Sequence, residues 1–288
     1  MKILIFGSTG MLGSQLFINL SKMYDVIGTS RDVKIHDSLV SFNNSFHQFL
    51  DIKDDNEIKN IIRFIKPSVV INCIGLIKQR ENVNNPLDVL PINSLFPHHL
   101  SEICKQFDVR LIHISTDCVF SGKKGGYVES DKSDAEDLYG ISKYLGEINH
   151  KENCVTLRTS IIGHELNSKK ALLEWFLSQE LSVKGYRKAV FSGLTTNELS
   201  KVIGDIVIPN KSLAGLIHIS SKAIDKYSLL NMISEVYNKK IKIISDESLI
   251  IDRSLDSSYF TKTTGYIAPN WHDMIKEMYE SHLQFINT

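Results

Sequence analysis

The chain has 288 residues, more than the usual domain of about 100–200, so its length suits one large domain or one domain with an appendage. Apolar residues make up 42% and charged residues 23%, which is globular composition. The 33 basic side chains balance 33 acidic ones, which excludes a surface held to nucleic acid or to a membrane by net charge.

The first apolar run, KILIF (2–6), reads as a buried strand. It follows a single lysine and stops at Gly7, shorter than the apolar region of about 7–15 residues in a signal peptide. Nowhere does the chain approach the run of about 18–20 apolar residues that spans a bilayer. A helix is expected over 11–23, then a strand at YDVIGTS (24–30), then a helix over 55–65 with Ile58, Ile61, Ile62 and Ile65 on one face. The pattern repeats with strand SVVINCI (68–74), helix 92–107, strand VRLIHIS (109–115), helix 138–150 and strand CVTLRTS (154–160). Short Val- and Ile-rich strands alternating with helices predict an α/β fold, a Rossmann-type doubly wound parallel sheet.

After residue 160 the alternation loosens. A helix near 169–179, the apolar and basic VKGYRKAVFSG (183–193), a helix over 196–208 and a strand at GLIHIS (215–220) follow. Helices near 226–237 and 271–286 flank a strand at KIKIIS (240–245). Residues 1–160 with about 193–222 are expected to form the main domain, and 161–192 with 223–288 a smaller C-terminal lobe. Cys73, Cys104, Cys118 and Cys154 are widely spaced, with no CxxC pair and no His at ligand spacing. Reduced thiols, a cytoplasmic location and no metal are the expectation.

GSTGMLG (7–13) places Gly7, Gly10 and Gly13 between the first strand and the first helix. Glycine permits the tight turn there, and lets backbone N–H groups and the positive helix terminus approach a pyrophosphate. Dinucleotide binding follows, which makes the main domain an NAD(P)-binding one and the lobe a substrate lobe. The second strand ends GTSRD, where an arginine accommodates a 2′-phosphate and an acid binds the 2′-hydroxyl. Arg31 comes first and favours NADPH over NADH; Asp32 pulls the other way. Asp51, near the end of a third strand in FLDIKD, suits either the adenine amine or a helix cap. The cofactor set is Gly7, Thr9, Gly10, Met11, Leu12 and Gly13 in the loop, with Arg31, Asp51, Ile52 and Gly75 beyond it.

With GSTGMLG, HISTDCVF (113–120), YGISK (139–143) and LRTS (157–160) in this order, the chain resembles the extended short-chain dehydrogenase/reductases. Within them it is most similar to the dTDP-4-dehydrorhamnose reductase family, over essentially its whole length. FSGLTTNELSKVI (191–203) and DRSLDSSYF (252–260) carry the likeness into the second half. The resemblance implies reduction of a nucleotide-activated 4-keto-6-deoxy sugar for a surface polysaccharide, with Thr116, Tyr139 and Lys143 as the catalytic set. Tyr139 would give the proton, helped by the Lys143 ammonium one helical turn away, which is expected to lower the phenol's pKa. Lys143 would also hold the nicotinamide ribose, and Asn93 would stabilise the site through backbone and water contacts.

For the substrate the resemblance puts Cys118 close to the sugar, and Asp117 beside it and Glu129 in GYVES are further candidates; Lys78 and Arg80 follow the fourth strand near the ligand edge, and Arg187 and Arg253 in the small lobe are the cations expected to meet a nucleotide diphosphate. Cys118 and Ile161 stand where the family often has aromatic residues, so the sugar and the base stay open. A homodimer is compatible with the family. Two alternatives remain: an epimerase or dehydratase of the same superfamily, and a non-enzymatic regulatory subunit like the methionine adenosyltransferase beta subunit.

Overall fold

The computed structural model describes residues 1–30, 46–48, 52–77, 84–166 and 169–286. Six strands open the chain: β1 (Lys2–Phe6), β2 (Asp25–Ser30), β3 (Phe46–Gln48), β4 (Val69–Asn72), β5 (Arg110–Ile114) and β6 (Cys154–Arg158). Between them lie α1 (Met11–Leu20), α2 (Asp55–Ile65), α3 (86–106) and α4 (Leu138–Leu145). Strand β11 (Gly215–His218) joins this set, and the seven form one parallel sheet in the order β11-β6-β5-β4-β1-β2-β3. The order reverses between β1 and β4, and in open α/β sheets the crevice beyond the strand ends at that point takes the ligand.

The sheet is buried on both faces because alternate side chains of each strand serve different cores. Ile3, Ile5, Val69 and Ile71 pack with α1 and with α6 (196–207). Leu4, Phe6 and Val70 pack with Ile58 and Ile62 of α2 and with Leu100 and Ile103 of α3. The chain is thus a Rossmann-like α/β fold. Beyond the main sheet come β7 (Ile161–Ile162), β8 (Ser182–Tyr186), β9 (Ala189–Phe191), β10 (Leu194–Thr195), β12 (Ile224–Asp225), β13 (Lys242–Asp246) and β14 (Ile251–Asp252). They pair as β10-β7, β12-β9-β14 and β13-β8. Helices α5 (Leu172–Ser178), α7 (Lys226–Val236), α8 (Ser258–Thr264) and α9 (Trp271–Ile286) pack with them. Among the described residues no helix is long and apolar enough to cross a membrane.

Helix α1 ends at Leu20 rather than 23, and three further helices differ from the periodicity. Helix α3 starts at Pro86 rather than near 92, because Asn85 caps Leu87 N at 3.2 Å and proline suits the first helical turn. Helix α5 starts at Leu172 rather than 169, since the Glu165 carboxylate accepts the N–H groups of Lys170 and Ala171 and holds them in a loop. Helix α4 stops at Leu145 rather than 150. Gly146 there lies against the Asn93 carbonyl, where a Cβ would sit 2.0 Å from the oxygen, so the chain turns inward and delivers Glu147 to the core.

Glu147 and Arg158 form a buried, two-pronged ion pair with N–O distances of 2.7 and 2.6 Å. Ser115 donates to the same carboxylate at 2.7 Å, and Arg158 Nη1 donates to His218 Nε2 at 3.3 Å. His218 Nδ1 in turn donates to the Tyr127 carbonyl at 3.1 Å, and burial pushes this imidazole down to about 4, which keeps it neutral as an acceptor. The network joins the end of α4 to β5, β6 and β11. Removing one charge from such a pair strands the other. Glu147→Gln is therefore expected to lose about 3–5 kcal/mol of stability in urea unfolding, with Glu147→Gln/Arg158→Met recovering much of it.

Candidate active site

A cleft of about 740 Å³ opens at the strand ends beside the reversal point. Its floor begins with the glycine turn. Gly7 has φ +80°, and a Cβ on Gly13 would sit 2.0 Å from the Gly7 carbonyl oxygen, so both positions require glycine. Gly10 caps α1 without a side-chain bond, which leaves the first-turn N–H groups of Met11, Leu12 and Gly13 uncapped along the cleft wall. A dinucleotide pyrophosphate fits that close-packed, donor-rich turn. Gly10, Met11, Leu12, Gly13 and Gly75 line the cleft. Gly7 and Thr9 shape the turn without lining the wall, and Ile52 packs partly buried against the Ile58 and Ile62 core instead. Arg31, Asp32, Asp51, Lys78 and Arg80 lie outside the described residues.

Thr116, Tyr139 and Lys143 meet on one wall of this cleft. Thr116 terminates the β5 edge, where its Oγ1 accepts from Cys118 N at 3.1 Å and donates to Asp117 Oδ1 at 3.2 Å. Helix α4 carries Tyr139 and Lys143, and Asp137 caps it by accepting from Gly140 N at 2.8 Å. A Cβ on Gly140 would meet the Cys118 carbonyl at 2.3 Å, so this glycine lets the helix lie directly on the strand end. Asn93, in a π turn of α3, braces the arrangement. It accepts from Leu76 N at 2.8 Å and donates to Leu76 O and Ser142 Oγ, both at 3.1 Å.

Burial dominates the charges here. It pushes the Tyr139 phenol well above its ordinary value, with Cys118 adding to the rise and a hydrogen bond from Thr116 opposing it. The expected lowering by Lys143 is not found, and the geometry explains why: the Lys143 ammonium donates to the Ile114 carbonyl at 2.8 Å. A phenol that keeps its proton across the neutral range remains a donor. Lys143 itself is pushed down to about 8 by burial, with Glu147 the main opposing charge. Burial also raises Asp117, against the pull of Arg253.

Asp117, Cys118 and Arg253 share the cleft, and Arg253 Nη1 approaches Cys118 Sγ at 3.6 Å while Nε donates to the Phe120 carbonyl at 2.8 Å. Two other suggested contacts lie elsewhere. Arg187, in the turn between β8 and β9, stacks 3.9 Å over the Tyr227 ring and donates to Ser245, so it is no part of the wall. Glu129 accepts from the His218 backbone N–H at 2.9 Å and serves the fold. Sequence reasoning missed Lys226, which lines the cleft from the first turn of α7. Its one signal is a cation at the positive end of a helix, where a lysine is disfavoured. The four cysteines are free thiols. Among the described residues no group of three or more His, Cys, Asp or Glu could hold a metal.

Residues 1–283 match the RmlD substrate binding domain family. The chain belongs to that family. It is 24% identical over 254 residues to methionine adenosyltransferase 2 subunit beta of Danio rerio, covering 82% of this chain and 74% of that protein. To a dTDP-4-dehydrorhamnose reductase of Streptomyces griseus it is 29% identical over 145 residues, covering 50% of this chain and 43% of that one. That second match spans less than half of the reductase. A solved dTDP-4-dehydrorhamnose reductase of Bacillus anthracis, in complex with NADP, shares the fold with a TM-score of 0.81 over 97% of this chain and 99% of that one, at 19% identity.

The depressed Lys143 has a measurable consequence. Between about 8 and the ordinary lysine value of 10.5 the unfolded chain holds this proton and the folded chain does not, so stability from this group rises with pH through that window. Unfolding free energies of wild type and Lys143→Met, measured across pH 7–11, should show that rise in wild type relative to the variant.

Proposed function

We propose that the protein is an NADPH-dependent reductase of a nucleotide-activated 4-keto-6-deoxy sugar, acting in the synthesis of a surface polysaccharide. The observation that carries this reading is the convergence of Thr116, Tyr139 and Lys143 on the cleft that the glycine turn opens into. Bound NADPH would supply the hydride; NADH is the alternative donor, and Arg31 in GTSRD supports the phosphorylated form. Thr116 turns its hydroxyl from Asp117 to the substrate carbonyl oxygen, and Tyr139 gives its proton to the alkoxide as it develops. With the cofactor bound, Lys143 would leave the Ile114 carbonyl to hold the nicotinamide ribose hydroxyls, and its charge would stabilise the phenolate that proton transfer leaves. Family membership supports the oxidoreductase class, while the base and the sugar rest on this proposal alone.

A second reading has one observation in its favour. The match to the methionine adenosyltransferase subunit covers more of both chains than the match to the Streptomyces griseus reductase. A regulatory subunit of that kind could keep the dinucleotide turn without turnover. The intact catalytic set supports the enzyme instead.

NADPH consumption with a panel of UDP-, dTDP-, GDP- and CDP-linked 4-keto-6-deoxy sugars separates the two. Turnover of at least one member is expected, and none with any member would favour the regulatory reading. With a substrate in hand, Tyr139→Phe should lower the single-turnover rate by about 10²–10⁴ with NADPH affinity nearly unchanged. Lys143→Met should harm both. A folded Tyr139→Phe protein with near wild-type turnover would remove Tyr139 from the chemistry.

A further inference from the structure

Two imidazoles stack behind the cleft, and neither lines it. His164 lies in the loop after β7 and His282 near the end of α9. Their ring centroids are 3.5 Å apart and their planes within 7° of parallel. His164 Nδ1 lies 2.6 Å from Glu174 Oε1, and Nε2 lies 2.9 Å from the Tyr237 hydroxyl. A ring held this way keeps both bonds in either protonation state. When neutral it donates from Nδ1 to the carboxylate and accepts from the tyrosine; when charged it donates from both nitrogens, and the hydroxyl turns to accept. His282 has no such partners. Its nitrogens form no hydrogen bond or ion pair among the described residues, and its contact with His164 is made by the ring face.

The site is built for one positive charge. Glu174 supplies a single carboxylate, already committed to His164, and a second proton would set two like charges face to face across the stack. The other titratable and charged groups around the pair are Tyr237 at the end of α7, Tyr279 of α9 itself and the exposed Lys169, none of them a second carboxylate. Burial pushes His282 down, with His164 adding to the fall and Glu174 opposing it. The pair also joins two parts of the fold. Trp271, Met274, Ile275 and Met278 anchor the first half of α9 in the core, while the contacts of its later turns include Tyr279 against Tyr237 and His282 against His164. On the other side, the residue after His164 is Glu165, whose carboxylate holds the N–H groups of Lys170 and Ala171. Glu165, Lys170, Ala171 and Leu172 all line the cleft, so the stack ties the end of α9 to the cleft wall.

We propose that the His164–His282 stack is a pH-operated latch that pins the end of α9 to the cleft-wall loop, closed while no more than one imidazole is protonated and opened when both are. Repulsion between the two charged rings opens it, and the loop that carries Glu165 loosens while the core stays folded. The direction follows from His282. Its depressed value means that the folded chain holds this proton less firmly than the unfolded one, so the stack's contribution is complete above the ordinary histidine value of 6.5 and is lost as pH falls below it. Burial acts against the Glu174 charge, but His164, His282 and Lys169 together hold that carboxylate below its ordinary 4.5. A window between about pH 5 and 8 therefore reads the imidazoles and not the carboxylate. The latch does not depend on what the cleft binds, so it stands apart from the reductase reading.

The test is nuclear magnetic resonance of the full-length protein across that window. Ring signals of His164 and His282 are titrated, and exchange rates of the Lys170, Ala171 and later α9 amides are followed after correction for the ordinary pH dependence of exchange. Wild type is compared with His282→Phe, which keeps a stacking ring with no proton to take, and with His282→Lys, which sets a lasting cation against His164. In wild type the two rings should titrate in separate steps, the lower one accompanied by about tenfold faster exchange at Lys170, Ala171 and the α9 amides beyond Tyr279. His282→Phe should keep the slow rates throughout, and His282→Lys should show the fast ones already at the upper end of the window. Amides of β4 and β5 should stay protected in all three proteins, which distinguishes an opened latch from an unfolding chain. Wild-type rates that do not change with pH, or that rise equally in His282→Phe, would overturn the latch. So would two rings that titrate independently, or a His282→Lys protein as protected as wild type at the upper end.

Discussion

The buried Glu147–Arg158 pair is the interaction on which the geometry of the site depends. Two charges out of water are tolerated only where each oxygen and each N–H finds a partner, and here Ser115 and His218 complete the set. The partners come from the end of α4, from the β5 edge, from β6 and from β11. Satisfying them together leaves α4 one place to lie, with Lys143 over the end of the β5 strand and Glu147 beneath it. The same carboxylate opposes the effect of burial on Lys143. A structural ion pair thereby also favours the charged form of Lys143 against its burial.

Close backbone approach does the rest of the positioning. Gly140 lies on the Cys118 carbonyl and Gly146 on the Asn93 carbonyl, so main chain of other segments meets α4 near both ends, in addition to the Asp137 cap. Asn93 extends the grip to Leu76 and Ser142, and so to the loop that leaves β4. Tyr139 and Lys143 are consequently held against a rigid sheet edge. Such pre-set geometry is what the proposed delivery of a hydride and a proton to one carbonyl requires.

The cleft divides electrostatically. Toward the glycine turn the positive character comes from uncapped main-chain N–H groups, which suit a pyrophosphate lying along the helix start. Elsewhere on the lining it comes from the side chains of Lys226 and Arg253, with the Asp117 carboxylate near both. Between these poles burial holds the phenol of Tyr139 protonated and brings the Lys143 ammonium near neutrality.

Much of the sheet was legible in the sequence because its signals are local. Val- and Ile-rich runs mark strands buried on both faces, period-3.6 spacing marks helices such as the one bearing Ile58 and Ile62, and a glycine triplet at a strand-to-helix junction marks a phosphate turn. Tyr139 and Lys143 four apart on a helix, and Thr116 at a strand end, were legible for the same reason. Arg187 and Glu129 were misplaced because a charged residue's sequence neighbours do not reveal which way its loop faces. Arg187 went to the Tyr227 ring and Glu129 to the His218 backbone. The end of α4, the Asn93 brace and the role of Glu147 were decided by contacts between segments tens of residues apart, which leave no local period to read. Lys226 belongs with them. By itself the sequence determined the sheet, the glycine turn and the candidates for the site; tertiary structure alone decided which charges face one cleft, because long-range packing, and not residue type, sets where a side chain ends.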